Sequence, residues 1–211
     1  MLKRVARSVL TVYGKASTSV RLRINRKRMN RRLDIGPGTV RIQGFETMNI
    51  VWSRTTDYIL DASRRLPFRD NTFCLIHASH VLEHIAWYRV EQVLQEWVRI
   101  LMPGGALEIW VPDAYKVCKV VIDAERGLAN DIPDDWSPHN PHRSPYLWAN
   151  GRLFWGANPA YPSWHMAMFT PKYLHGLLEE AGLAQVGELG PAKVRGYDHG
   201  WINLGMTGVK P

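Results

Sequence analysis

"TFCLIHASHVLEHI", residues 72–85, admits two readings, and the fold turns on which is right. His80, Glu83 and His84 fit H-x-x-E-H, the inverted zinc-protease order. Two histidines four apart on a helix share a face and could share a metal ion. That enzyme class needs the motif inside a long helix, with a further ligand from a second helix. Residues 72–79 are instead a nearly continuous apolar run, the pattern of a strand buried on both faces. The segment therefore reads as a strand ending near His80, and no metal is expected.

The flanking segments extend that reading. Upstream, "RLDI" is a short strand that stops at the turn "GPG", residues 36–38, and "FETMNIVW" and "TDYILDA" are a second and a third strand. Downstream, "RVEQVLQEWVRILM" carries a helical stripe of Val90, Val93, Leu94, Trp97 and Leu101. "PGG", residues 103–105, is expected to stop that helix, and "ALEIWVPD" to form a fifth strand ending at Asp113. Near the end, Thr170 reads as an N-cap, Pro171 as a first helical position and Gly182 as a stop. "AQVGELG" and "GWINLGMTGVK" then close the chain as a pair of strands. Strands alternating with helices imply an α/β, doubly wound, mostly parallel sheet. Residues 113–169 break the rhythm with nine aromatics and six prolines, too long and too aromatic for a plain connector, so they read as an insertion or lid.

A chain of 211 residues with 45% hydrophobic and 22% charged side chains has the composition of one globular domain with a sizeable core. No apolar run reaches membrane-spanning length. Cys74 and Cys118 make no disulfide framework, so a reduced, cytoplasmic setting is expected. The net charge of +8 is unevenly placed: residues 1–32 hold eleven Lys or Arg and no acid, and the rest holds 16 basic and 19 acidic side chains. The chain thus divides into a basic extension, residues 1–30, and a domain, residues 31–211. The extension reads as a solvated tail, a contact to an anionic inner-membrane face, a grip on nucleic-acid phosphate, or an organelle transit peptide. The body gives no reason to expect nucleic acid as partner.

Ligands of a doubly wound sheet bind outside the carboxyl ends of the strands. Asp34, Gly36 and Gly38 lie at the first such end. A dinucleotide fingerprint would need a third glycine where Arg41 stands, which disfavours NAD.

"RLDIGPG", "GFETMNI", "LDASRRLPFRDNTFCLIHASHVLEHI", "LQEWVRILMPGGALEIWVPD" and "FTPKYLHGLLEEAGL", in that order, resemble the class I S-adenosylmethionine-dependent methyltransferases. Within them the chain looks like the small subgroup associated with polysaccharide and cell-surface glycan biosynthesis. The resemblance implies a Rossmann-like, seven-stranded sheet and S-adenosyl-L-methionine as cofactor. It implies that Asp34 and Gly36 to Gly38 lie against the methionine end, Asp61 and Ala62 meet the adenine, and Ser79 and His80 border the cofactor, with no zinc. Asn49 stands where the family places its ribose-binding acid. It offers one neutral acceptor in place of a charged bidentate one. The link from Gly38 to Asn49 is short for the usual first crossover helix.

The implied activity is methyl transfer to a hydroxyl of a glycan or glycan precursor. A sugar hydroxyl is a poor nucleophile, so a general base is sought among His165, His84, Asp113 and His80. His84 could equally serve local backbone groups, and Asp113 could cap the next segment. Trp136, Trp148, Trp155, Trp164, Tyr146 and Tyr161 offer flat faces for a sugar ring, or a satellite core. His139 and His142 are a weak hint of metal. Two alternatives stand beside this reading: an RNA methyltransferase gripping phosphate with the extension, and a non-catalytic binding or scaffold protein, kept open by Asn49.

Overall fold

Residues 16–128, 140, 142–154, 164–196 and 198–211 are described by the structure, a computed structural model. Trp136, His139, Trp155 and Tyr161 lie outside the described residues, as do residues 1–15.

The strands are β1 (Arg31–Ile35), β2 (Glu46–Asn49), β3 (Tyr58–Ile59), β4 (Phe73–Ser79), β5 (Leu101–Pro112), β6 (Ala184–Leu189) and β7 (Asn203–Val209). They form one sheet in the order β3-β2-β1-β4-β5-β7-β6. The first five are parallel, and β7 runs antiparallel between β5 and β6. This is the seven-stranded, mostly parallel sheet that the resemblance leads one to expect.

Alternation along each strand gives the sheet two unlike faces. Leu33, Ile35, Ile76, Ala78, Leu107 and Ile109 are buried on one, in a single apolar cluster with Val93, Leu94 and Trp97 of helix α2 (Val90–Ile100) and Leu174, Leu177 and Leu178 of helix α3 (Pro171–Glu180). Thr170 caps α3 by accepting from the Tyr173 amide, as expected. On the opposite face the register sets Thr47, Asp34, His77 and Glu108 side by side across β2, β1, β4 and β5. No helix forms in residues 36–45, between β1 and β2, so that face meets an irregular segment. Phe45 from this segment packs edge-on against His77, with centroids 6.3 Å apart. Arg195 bonds Glu108 at 2.7 Å and lies over the Phe45 ring.

Two expectations need correcting. "PGG" does not separate helix from strand: α2 stops at Ile100, and β5 begins at Leu101 and runs through Pro103–Gly105. The Gly104 amide bonds the Lys210 carbonyl at 2.8 Å, so pairing with the chain's end holds a sequence that locally favours a turn. Residues 113–169 are also less irregular than their composition suggests. They include helices at Ala114–Glu125 and Pro145–Leu153, which pack through Val117, Val120, Trp148 and Ala149. Trp148 is only 1% exposed and belongs to this satellite core, so it offers no face to a sugar.

The basic extension is partly built into the domain. Helix α1, residues 16–25, docks on the β2–β3 edge. The Ile59 amide donates to Thr18 Oγ1 at 2.9 Å, and Asn25 Nδ2 donates to Glu46 and to Tyr58 Oη. Arg31 grips Glu46 with two hydrogen bonds of 2.8 and 2.9 Å, and Tyr58 Oη donates to the same carboxylate. Among the described residues no helix is long and apolar enough to cross a membrane.

Burial pushes the Glu46 carboxyl up, but bonds from Arg31, Tyr58 and Asn25 outweigh it and hold it below the ordinary value of 4.5. A carboxyl depressed on folding contributes stability above its unfolded value and loses it as pH falls through the folded one. Glu46→Ala, which strands the buried Arg31, should lower unfolding free energy by about 3–5 kcal/mol in urea titrations. Glu46→Gln should weaken the fall in stability below about pH 4.5 that the parent shows.

Candidate active site

The carboxyl ends of β1, β4 and β5 open into a cleft of about 690 Å³. One wall is the turn after β1. The Gly36 amide bonds the Met48 carbonyl at 2.8 Å, and Gly36 sits at φ +72°. A Cβ there would lie 2.3 Å from Val81 Cγ2, so only glycine lets the turn close on the segment after β4. Gly38, also at positive φ, borders the same cleft.

The floor is the buried pair Asp34 and His77, with Oδ1 and Nδ1 2.8 Å apart. His77 Nε2 has no hydrogen-bond partner among the described residues, though the residue lines the cleft. Ser79 and His80 follow at the end of β4. His80 holds φ +52°, a strained value for a non-glycine residue. Its Nε2 meets Asn203 Oδ1 at 2.9 Å, and its ring lies 3.6 Å from that of His199. Burial, and then the neighbouring His80, push His199 down to about 4.

The far wall joins the 3₁₀ turn Leu82–His84 to residues 164–168. Met166 and Ala167 donate their amides to the Glu83 carbonyl at 2.7 and 3.2 Å. This brings His165 beside His84, with centroids 4.9 Å apart. His84 Nδ1 faces the Trp164 carbonyl at 3.2 Å and His165 Nδ1 faces the Arg152 carbonyl at 2.9 Å. A carbonyl only accepts, so each Nδ1 carries a proton, and it is Nε2 that offers a lone pair in the neutral ring. Burial holds His165 below its ordinary value, which keeps it neutral near pH 7. The Glu83 side chain is 2% exposed. Burial pushes its carboxyl up, but His80, His84 and His165 outweigh that and the net direction is down.

Seven of the residues singled out in the sequence thus meet in one cleft: Asp34, Gly36, Gly38, Ser79, His80, His84 and His165. Asn49, Asp61, Ala62 and Asp113 do not line it. The Asp61 carboxylate accepts from Ser63 N and Oγ and from Arg64 Nε, all within its own turn. The Ala62 carbonyl takes the Trp97 indole at 3.2 Å. Asn49 Oδ1 faces the Val51 amide at a long 3.5 Å. Asp113 caps the helix that follows, accepting from the Tyr115 and Lys116 amides. His142 is exposed. Sequence reasoning missed His77 and His199 and gave Glu83 no role in the site. An imidazole within an otherwise apolar strand was the available signal for His77. His199 has none, because only the return of β7 beside β5 brings it to His80.

Residues 33–109 match the family model described as a methyltransferase domain. No curated protein matches the chain. Among solved structures, the PH0226 protein of Pyrococcus horikoshii OT3 is 14% identical with a TM-score of 0.50, the match covering 93% of this chain and 89% of that one. A SAM-dependent methyltransferase of Archaeoglobus fulgidus is 14% identical with a TM-score of 0.49, covering 92% and 93%. At such identities the likeness concerns the fold. Gly36→Ala combines a positive φ with the Val81 clash and should cost at least about 1–2 kcal/mol, read as a lowered melting temperature.

Proposed function

We propose that this chain is a class I S-adenosylmethionine-dependent methyltransferase that moves the methyl group to a hydroxyl of a glycan or glycan precursor. The observation that carries the reading is the opposition, within one cleft, of the Asp34–Gly38 turn and the Glu83, His84 and His165 wall. The residues present fit the cofactor at its methionine end. The Gly36 turn keeps backbone at the cleft surface, Asp34 is a buried carboxylate suited to an ammonium, and His77 Nε2 is a buried polar atom in need of a partner. When bound, S-adenosylmethionine supplies an electrophilic methyl on a sulfonium.

Asp34 and the glycine turn would hold the methionine end, and Ser79 and His80 would border the middle of the cofactor. Asn49, at the end of β2 and beyond the lining of the cleft, would offer the ribose a single neutral acceptor, and Asp61 and Ala62 would lie toward the adenine. The far wall handles the acceptor's charge as its hydroxyl loses the proton. Trp164 and Tyr146, both exposed, offer faces for a sugar ring. Val20 and Ile24, exposed on one side of the docked helix beside Arg23 and Lys27, favour an anionic membrane surface as the extension's partner. Co-sedimentation with phosphatidylserine vesicles that falls as salt rises supports that partner, and salt-independent or absent binding removes it.

Calorimetric titration with S-adenosylmethionine, chelator present, should show saturable binding at one site. Asn49→Asp should tighten it about tenfold by restoring a charged acceptor. His165→Ala should leave the cofactor affinity unchanged while lowering turnover of glycan acceptors about 100-fold. Undiminished turnover would remove His165 from the site.

A further inference from the structure

The far wall is a donor set as well as a wall. One ligand atom each from Glu83, His84 and His165 lies within 4.8 Å of the others. Donors around a bound zinc-class ion stand about 3–3.5 Å apart, so side-chain shifts of about 1 Å close the set. Three independent features suit a cation here. Both imidazoles donate Nδ1–H to a backbone carbonyl, the arrangement that fixes ligating histidines and aims Nε2 at the metal. Glu83 Oε2 receives no hydrogen bond among the described residues, although the side chain is buried. His80 Nδ1 stands 3.1 Å from Oε1 and braces the carboxylate from behind. The two strands of chain that supply the ligands are tied by the Met166 and Ala167 amides, so the set is held before anything binds.

We propose that Glu83, His84 and His165 form a binding site for one divalent transition-series cation. Two imidazoles and one carboxylate suit ions of the zinc, cobalt and iron(II) class. Three protein ligands leave at least one position open, and the set lines the cleft, so the open position faces the acceptor side. The sequence argument against metal required a long helix around H-x-x-E-H. The site needs none, because His165 arrives from a different segment and His80 serves as a brace, not a ligand.

The cation's role rests on the methyl-transfer reading; the site itself does not. In that role an acceptor hydroxyl oxygen occupies the open position and releases its proton to solvent. Its lone pair then forms the O–C bond to the methyl as the C–S bond breaks, the electron pair staying on sulfur as a neutral thioether. His165 acts as a ligand in this scheme and not as a free base. Acceptors with two adjacent hydroxyls, which chelate, are favoured.

The test uses the full chain stripped with chelator and titrated with Co²⁺, followed by its visible d–d bands. One Co²⁺ per chain, with the intense bands of a four- or five-coordinate ion, is expected. His84→Ala, His165→Ala and Glu83→Gln should each weaken binding at least about 10–100-fold, and Zn²⁺ should displace the colour. His84 is half-exposed, so its replacement leaves folding intact, checked by circular dichroism. No stoichiometric Co²⁺, or unchanged affinity in His84→Ala and His165→Ala, overturns the site and leaves Glu83 as a buried partner of the histidines. S-adenosylmethionine is titrated separately without metal. Cofactor binding without Co²⁺ binding sinks the metal site alone, and Co²⁺ binding without cofactor binding sinks the methyl-transfer reading alone.

Discussion

Ten residues, 36–45, separate β1 from β2, and that shortness shapes everything above the sheet. A parallel crossover ordinarily carries a helix that buries the face beneath it. Here the connection closes without one, so the strands below cannot present an apolar surface to it. The register answers with Thr47, Asp34, His77 and Glu108, each paired to a neighbour or to the segments that arrive later. Their opposite-facing neighbours are buried in the main core. The sheet is thus asymmetric by necessity: one face supplies cohesion and the other supplies a polar, open site.

The second constraint is the suture between the turn after β4 and residues 164–168. Backbone bonds to the Glu83 carbonyl set the distance between two segments some eighty residues apart in sequence. Because the tie is main chain to main chain, it does not depend on the identity of Met166 or Ala167. The side chains at Glu83, His84 and His165 are then free to serve chemistry. His80, held at positive φ, turns its ring back toward Glu83 on one nitrogen and Asn203 on the other.

Strand and helix types were legible in the sequence wherever one face dominates. The stripe of α2 and the apolar run of β4 are local patterns that the fold keeps. The start of β5 was not, since Pro103–Gly105 break regular structure in isolation and only backbone bonds between Gly104, Gly105 and Lys210 override them. The helices within residues 113–169 were hidden by proline and aromatic content, although Asp113 and the valines after it are an ordinary cap and stripe. In the site, residues at strand ends were readable because parallel topology places strand ends together. Asn49 and Asp61, also at strand ends, fall outside the cleft because it opens over β1, β4 and β5 and not over β2 and β3. His77 and His199 depend on register and on a late strand's return, which no local window carries.

The hydroxyl of Thr18 takes the amide of Ile59, on the outermost strand of the sheet. That single contact does the work of an eighth strand. An edge strand only two residues long with its amide occupied is a poor template for another chain to add to. A segment whose charge suggests a disposable tail therefore also guards against edge-to-edge association. Clipping the chain at residue 30 would bare that edge amide as well as remove the basic residues.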